Sequence, residues 1–170
     1  LLWWNETVAR VLEPYLVVLN SLPKTALAPV FIVWLGNNMK TIIVAAVSVA
    51  VFSTTITLYN TFQEMDPGKI KMIRTLGGQK KDILCKLILP GNVPAIISAM
   101  KVDIGLTLVG VIIGEFVAAK AGLGYLIIYG SQVFKLDYVL LSIVILCLIS
   151  TGLYLLISLL EKLCLKHYSV

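Results

Sequence analysis

Three ionisable residues, Lys101, Asp103 and Glu115, interrupt an otherwise apolar run from residue 87 to residue 119. A charge in hydrocarbon is costly, so such side chains usually face protein or water and often mark a substrate or ion path. Lys101 and Asp103 are two positions apart and do not share a helix face. We expect each to pair across a helix bundle or to lie near its cytoplasmic end, with lining of a substrate path as the alternative. Glu115 is expected either to contact an outer gate or binding protein or to be an ordinary solvated acid.

The sequence carries no residue pattern typical of catalysis or metal binding. Its single histidine, His167, lies near the C-terminus, whereas a HExxH-type metalloprotease site needs two histidines. The three cysteines match no metal or redox spacing, and we expect them to be small buried hydrophobes. These are Cys85, Cys147 and Cys164. The sequence therefore predicts no catalytic residue and no metal site, and an intramembrane enzyme is the least favoured function.

The composition indicates a membrane protein. The chain is 59% hydrophobic and 14% charged, with a mean hydropathy of +0.95, whereas soluble domains carry about 25% charged residues. The net charge is +5, and six of the fourteen basic residues lie between residues 64 and 90. Basic residues concentrated in one loop follow the positive-inside rule and do not form a nucleic-acid-binding surface.

Apolar stretches with few charges predict four membrane-spanning helices near 15–35, 41–62, 92–117 and 138–160, because a span needs about 20 mostly apolar residues. The predicted fold is an all-α membrane protein in which residues 1–170 form a single transmembrane domain. The 64–90 loop and the C-terminal tail, with its Lys162 and Lys166, are expected to be cytoplasmic.

Prolines and glycines give two of these spans special features. Pro14, Pro23 and Pro29 punctuate the first span, where each proline removes a backbone hydrogen bond and favours a kink. We expect this helix to pack inside a bundle or to line a cavity, with a kinked lipid-facing helix as the alternative. Gly110 and Gly114 lie four residues apart in the third span, a spacing that favours close helix packing.

The 64–90 loop is patterned like two short amphipathic helices. Asp66 and Pro67 are typical of a helix start, and Gly77 and Gly78 are expected to break the first helix. The second helix is expected to end at Pro90. The apolar faces comprise Ile70, Ile73 and Leu76 in the first helix and Ile83, Leu84, Leu87 and Ile88 in the second. This pattern fits either docking into a partner protein or binding to anionic lipid headgroups.

The spacing from Gly77 to Leu89 and Pro90 resembles the signature loop of ABC-importer permeases. Leu87 stands where that family has Ile, and residues 71–73 depart from the Glu-Ala-Ala that opens its pattern. Residues 22–29, 34–36, 114–116 and 121–126 are similar to segments of the nitrate/sulfonate/taurine permease subfamily and follow its order. The resemblance covers nearly the whole chain.

The resemblance implies a type I ABC importer (MetI-like) transmembrane helix bundle in which this chain holds about four of six spans. The chain does not begin with Met, which also favours missing N-terminal helices. In such a bundle the 64–90 loop would be the coupling element gripped by a cytoplasmic ATPase. The residues expected to contact that ATPase are Arg74, Leu76, Gly77, Gly78, Lys80, Leu89 and Pro90. Those expected to form a gate or pathway are Pro23, Pro29, Lys101, Asp103, Glu115, Gly122 and Gly124.

The same resemblance implies the function and the partners. The chain would be a permease subunit of an ATP-driven importer in a bacterial cytoplasmic (inner) membrane, moving a small anionic solute of the sulfonate, taurine or nitrate type. Its partners would be ABC ATPase subunits, a second permease subunit forming a homodimer, an extracytoplasmic substrate-binding protein and membrane lipid, but no nucleic acid. The chain itself would bind no cofactor, since ATP and Mg²⁺ belong to the ATPase. The alternative is an ATP-independent secondary transporter or channel.

Overall fold

The computed structural model describes residues 2–168, with side chains through residue 162. The predictions for the side chains of Cys164, Lys166 and His167 lie outside this described part. The prediction that the cysteines are buried is wrong for Cys85 and Cys147, which are exposed, because Cys85 lies in the 64–90 loop and Cys147 lies on a face of the last span that the rest of the chain does not cover. All regular secondary structure within it is helical. A 3-10 turn at Leu2–Trp4 precedes α1 (Glu6–Ser21), α2 (Lys24–Leu35), α3 (Met39–Gln63), α4 (Pro67–Thr75), α5 (Lys80–Ile83), a π-helical turn (Leu84–Ile88), α6 (Leu89–Gly91), α7 (Val93–Ala118), α8 (Leu123–Gln132) and α9 (Leu136–Tyr168).

Three helices of the described chain are long and apolar enough to cross a membrane. They are α3, α7 and the Leu136–Lys162 part of α9. These confirm the second, third and fourth predicted spans. Few residues in these helices are buried inside the chain, so most of their apolar surface needs lipid or other protein around it.

The first predicted span is two helices rather than one kinked helix. Helices α1 and α2 meet at 94°, and the bent pair counts as a fourth span only if taken together. The break falls at Leu22 and Pro23, both extended, while Pro14 and Pro29 lie inside helices. A proline disfavours helical backbone at the preceding residue, which places the break at Leu22. The Lys24 ammonium donates to the carbonyls of Leu19 and Asn20 at the free end of α1, and so satisfies acceptors that the break leaves open.

Helices α3 and α7 form the most extensive helix pair of the chain. Gly110 and Gly114 are buried at their interface. A Cβ at Gly110 would lie 2.5 Å from the Cα of Ala46, and one at Gly114 would lie 2.9 Å from the Cα of Ile42. Only glycine allows the two backbones to come this close, so the predicted small-residue packing is confirmed.

The segment between α7 and α9 contains a helix, α8, that the sequence pattern did not distinguish. Helix α8 packs against α9 as a hairpin. The Lys135 N–H donates to the Gly130 carbonyl at 2.8 Å to close the turn, and the intervening Phe134 has a φ of 55°. At Gly130 a Cβ would lie 3.0 Å from the Lys135 carbonyl oxygen, so a larger residue there would have to open the tight turn by a few tenths of an ångström.

Candidate functional site

The first helix of the 64–90 loop is closed at both ends by its own sequence. The Asp66 carboxylate accepts from the Gly68 N–H at 2.8 Å at the start of α4. At the other end Gly77 has a φ of +82°. The Gly78 N–H donates to the Ile73 carbonyl at 2.9 Å, and the Gly77 N–H donates to the Arg74 carbonyl at 3.0 Å. These two bonds form a Schellman motif, in which a left-handed glycine stops the helix.

The two glycines of this turn have different roles. A Cβ at Gly77 would meet nothing within 4 Å, so only the positive φ requires glycine at this position. A Cβ at Gly78 would lie 2.4 Å from Ile73 Cγ2 and 2.8 Å from the Ile73 carbonyl oxygen. Gly78 therefore allows a close approach within the turn, whereas Gly77 faces open space.

The tip of the 64–90 loop exposes large apolar side chains. Leu76 is 76% exposed and Met72 is 64% exposed, and the basic residues Arg74 and Lys80 are exposed beside them. Ile70 and Ile73, on the same helix, are half-buried. An apolar tip surrounded by cations is a surface suited to contact with another protein or with anionic headgroups.

The second half of the loop, residues 80–90, is packed against the rest of the chain; we call its end next to α7 the root of the loop. Ile83 is 1% exposed and Ile88 is fully buried, and Leu84 and Leu87 are half-buried. This agrees with the predicted apolar face. The prediction that the helix ends at Pro90 is wrong, because helical backbone runs on through α6 to Gly91. The reason is local: Pro90 directly follows the π-helical turn at Leu84–Ile88, where the α-helical hydrogen-bond pattern that a proline would interrupt is already broken.

The second helical segment of the loop carries an ion pair between Asp82 in α5 and Lys86 in the π-helical turn. The Asp82 carboxylate accepts from the Gln79 N–H at 3.0 Å and from the Lys86 ammonium at 2.8 Å. The Lys86 hydrogen bond, followed by the Gln79 N–H, holds the pKa of Asp82 below its usual value, and Asp82 in turn raises the pKa of Lys86. The pair thus caps α5 with a charged carboxylate at neutral pH.

Asn92, which the sequence reading passed over, joins the loop to α7. It is 9% exposed. Its backbone N–H and its side-chain amide both donate to the Ile88 carbonyl, at 3.0 and 2.8 Å. These bonds hold the last turn of the loop against the start of α7, where Pro94 occupies the first turn. The loop and the spanning helix are therefore connected by an almost unbroken helical backbone.

Lys101 pairs across the bundle. Its ammonium lies 2.5 Å from the Glu161 carboxylate on α9 and 5.5 Å from the centre of the Tyr154 ring. The two charged side chains are 18% and 21% exposed. A charge so placed is neutralised by its partner and by the aromatic face. This is the cross-bundle pairing that the sequence allowed, and it holds α7 against α9.

Asp103 faces a different neighbour, on α3. Its Oδ1 lies 2.5 Å from the Thr54 hydroxyl, near the middle of both spans. Beside this contact runs a half-open groove of about 440 Å³ between α3 and α7. Its lining is mostly apolar surface with polar groups from both helices, and it consists of Ser53, Thr54, Thr57, Thr61, Ala95, Ser98, Ala99, Val102, Asp103 and Leu106. This groove is the candidate solute site.

Glu115 caps α8 and is half-buried. Its carboxylate accepts from the Gly124 N–H at 2.6 Å. A Cβ at Gly122 would lie 2.5 Å from the carboxylate, and one at Gly124 would lie 2.9 Å from the Glu115 Cβ. The glycines at 122 and 124 thus leave the space that the acid fills, and Glu115 is more than a solvated surface acid.

The structure sorts the predicted site residues into separate environments. Arg74, Leu76, Gly77, Gly78 and Lys80 lie together at the loop tip, and Leu89 and Pro90 lie at its root. Asp103 alone of the predicted pathway residues lines the groove. Lys101, Glu115, Gly122 and Gly124 form contacts between helices, and Pro23 and Pro29 lie at and beyond the bend between α1 and α2.

The groove hydroxyls were missed, although a signal for them exists in the sequence. Ser53, Thr57 and Thr61 recur every four residues in a part of the span without charges, which places them on one helix face. Glu161 was missed as the partner of Lys101, because the two residues are 60 positions apart. No cluster of metal-ligating side chains occurs in the described residues.

The fold and these surfaces define a multi-pass helical membrane protein with a loop built to project from one end. Comparison with known families is consistent with that class. The family described as "Binding-protein-dependent transport system inner membrane component" matches residues 2–165. The chain therefore belongs to this family of ABC-transporter permeases, as the sequence resemblance indicated.

Curated relatives carry permease names with several different solutes. The formylaminopyrimidine transport permease protein ThiX of Halalkalibacterium halodurans is 29% identical over 125 residues, covering 74% of this chain and 50% of the relative. The putative aliphatic sulfonates transport permease protein SsuC of Escherichia coli is 27% identical over 163 residues, covering 96% and 61%. The riboflavin transport system permease protein RibX of Chloroflexus aurantiacus is 27% identical over 160 residues, covering 94% and 59%. The chain thus spans about half to three fifths of the length of these relatives.

Proposed function

We propose that this chain is the membrane-spanning permease subunit of an ATP-driven importer and that its 64–90 loop couples it to a cytoplasmic ATPase. The observation that supports the proposal is the contrast between the exposed tip of that loop and its buried second half. Its tip exposes Met72 and Leu76, while its root buries Ile83 and Ile88. Because the exposed end of the loop is free to contact a partner and the buried end is packed against the chain, a displacement of the exposed end would be transmitted to α7.

The connection to α7 supports a lever role. From Lys80 to Ala118 the backbone is helical except at Asn92, and Asn92 is itself hydrogen-bonded back to Ile88. Because rigid secondary elements carry motion with little loss, displacement of the tip would reorient α7. The groove that α7 shares with α3 would then open or close, and this groove is the part of the translocation path that the chain contributes.

Orientation and partners follow from charge and exposed surface. The 64–90 loop holds six basic residues against three acids, which favours a cytoplasmic position for the loop and for the C-terminus on the same side. The exposed apolar faces of the spans are expected to contact lipid and a second permease subunit, with a homodimer expected. An extracytoplasmic substrate-binding protein would deliver the solute, and ATP and Mg²⁺ would reside on the ATPase.

The solute is expected to be small. Two of the relatives are named as putative aliphatic sulfonates transport permeases, in line with the anionic class that the sequence resemblance implies. Others concern a formylaminopyrimidine and riboflavin, so family membership alone leaves the charge of the solute open.

The coupling role is tested at Gly77, where a side chain meets no internal neighbour. Gly77→Ala is the matched control, since it adds the strain of a positive φ, about 1 kcal/mol, without projecting from the tip. Gly77→Arg adds the same backbone strain and, in addition, a bulky cationic side chain that projects from the tip. The full-length subunit is purified with its ATPase, and both ATPase retention and ATP hydrolysis stimulated by the binding protein are measured.

We expect Gly77→Arg to lower both readouts at least tenfold, while Gly77→Ala stays within about twofold of the parent, because strain of this size perturbs a local turn only slightly. Retention of the ATPase and of stimulated hydrolysis by Gly77→Arg would sink the coupling proposal. Solute flux that follows an ion gradient without ATP would instead favour a secondary transporter or channel.

A further inference from the structure

The groove between α3 and α7 presents a few hydrogen-bond acceptors within a mostly apolar surface. The Thr54 hydroxyl lies 2.8 Å from the Ala50 carbonyl as well as 2.5 Å from Asp103, and the Thr61 hydroxyl donates to the Thr57 carbonyl at 2.9 Å. A hydroxyl has only one proton, and each of these threonines donates it to an acceptor of the chain itself. Towards any other molecule in the groove, the hydroxyl oxygens can therefore act only as hydrogen-bond acceptors.

Asp103 adds a negative charge to these acceptors. A carboxylate has about four acceptor positions, and Thr54 is its one hydrogen-bonding side chain among the described residues. The remaining positions can accept from a molecule in the groove. None of the residues that line the groove in the described part of the chain is Lys or Arg.

The nearest cations are engaged elsewhere. Lys101 is bound to Glu161 and lies over the Tyr154 ring, on another face of α7. Lys24 donates to the backbone carbonyls at the end of α1 and lies 5.2 Å from the centre of the Phe52 ring. Lys101 is thus paired with a carboxylate, and Lys24 is hydrogen-bonded at the end of α1; neither lines the groove, and the charged side chain that does so is Asp103.

We infer that the α3–α7 groove selects a neutral or cationic solute that presents N–H or O–H donors and disfavours small anions such as sulfonates or nitrate. The inference rests on the proposed permease function, and it replaces the anionic solute class implied by the sequence resemblance. A donor-bearing solute finds the Asp103 carboxylate and the threonine lone pairs in one groove. An anion meets the repulsion of a carboxylate in a partly desolvated site, where charges interact more strongly than in water.

The test measures the charge preference of the groove with thiol reagents of opposite charge. In the full-length subunit, assembled with its ATPase, Cys85, Cys147 and Cys164 are replaced by Ser. Ser98, an exposed groove residue five positions before Asp103, is then changed to Cys. The thiol at position 98 is modified with a cationic trimethylammonium methanethiosulfonate and, separately, with an anionic sulfonate methanethiosulfonate. Each modification rate is divided by the rate of the same reagent with free 2-mercaptoethanol, which corrects for the intrinsic reactivity of the reagent.

We expect the cationic reagent to be favoured by about fivefold or more, because a unit charge about 8 Å away acts in opposite directions on the two reagents. The preference should fall towards one when Asp103→Asn is added to Ser98→Cys, and it should persist with Asp103→Glu, which retains the carboxylate. Equal normalised rates, faster reaction of the anionic reagent, or a thiol at position 98 that reacts with neither reagent would each overturn the inference.

ATPase retention and binding-protein-stimulated ATP hydrolysis are measured on the same preparations. Their loss from the cysteine-replaced parent, with the Gly77→Ala control also inactive, would count against the permease proposal itself. Their retention together with an absent cationic preference would leave the permease function standing and overturn only the assignment of solute class.

Discussion

The close contact between α3 and α7 makes a sharp prediction about three glycines of one helix. Gly105→Ala, Gly110→Ala and Gly114→Ala are the same chemical change, so their intrinsic effect on helix stability is equal, about 0.5–1 kcal/mol in favour of alanine. They differ in surroundings. A Cβ at Gly105 meets nothing within 4 Å, whereas one at Gly110 would lie 2.5 Å from the Cα of Ala46.

The magnitude follows from the distances. Ordinary van der Waals contact of a Cβ begins at 3.4 Å, so Gly110→Ala must move α3 and α7 apart by about 0.9 Å, the difference between 3.4 and 2.5 Å. The atom that it meets is backbone, which no rotamer change can move. Forced overpacking of this kind costs about 1–3 kcal/mol. Gly110→Ala should therefore be about 1–3 kcal/mol less stable than Gly105→Ala, since the helix-propensity gain cancels between them.

The assay is thermal unfolding of the detergent-solubilised chain, followed by loss of the monomer peak in size-exclusion chromatography. For a chain of 170 residues, each kcal/mol shifts the midpoint by about 2–4 °C. Gly114→Ala should fall between the other two, because its nearest atom, the Cα of Ile42, lies at 2.9 Å. Midpoints for Gly105→Ala and Gly110→Ala that agree within about 1 °C would refute the reasoning, because the helices would then have room that the geometry denies.

Three further predictions concern the polar contacts. Lys101→Met should destabilise the chain by about 1–3 kcal/mol, since it leaves Glu161 partly buried without a partner. Adding Glu161→Leu should recover most of the lost stability. A double variant that is no more stable than Lys101→Met in the same thermal assay would contradict this. Glu115→Ala should cost about 0.5–2 kcal/mol, as helix caps do, and should speed amide exchange in the first turn of α8, whereas Glu115→Gln keeps an acceptor and most of the protection; unchanged exchange in Glu115→Ala would argue against the cap. Asp82→Asn should speed amide exchange in α5 at neutral pH. The pKa of Asp82 is lowered in the folded chain, so its contribution is present above the ordinary aspartate value and disappears as pH falls through the lowered one; an exchange difference that persists in strong acid, after correction for intrinsic rates, would be inconsistent with this linkage.

Local features of the fold followed directly from the sequence. The spans α3, α7 and α9 are continuous apolar stretches, and their length alone defines them. The Asp66 cap and the Gly77 stop are also local, because each acts within a few residues of backbone. These are the features for which composition and spacing contain all the necessary information.

Contacts between distant residues did not follow. Three prolines in the first span predicted kinks, but the sequence did not show which of them would break the span or that the two helices would meet at 94°, since that angle depends on how α1 and α2 pack against the other helices. The sequence allowed Lys101 to pair across the bundle but could not name Glu161. Gly122 and Gly124 were predicted as site residues only from a family resemblance. The structure shows why glycine is needed at these positions, because they leave the space that the Glu115 side chain fills. The roles of the predicted coupling and pathway residues stay predictions.

The π-helical turn at Leu84–Ile88 makes the direction of the loop depend on residue count. A π turn holds almost one residue more than an α turn. Deleting the exposed Cys85 would return the segment to α pitch and leave the segments before and after it nearly in place, because the five residues of the π turn complete about the same rotation as roughly four residues of α-helix. Deleting one residue from α5 would instead rotate everything before it by about 100° about the helix axis, so that Met72 and Leu76 would point to another side of the bundle. Between two such chains of nearly identical composition, the position of the missing residue would decide whether the tip meets its partner.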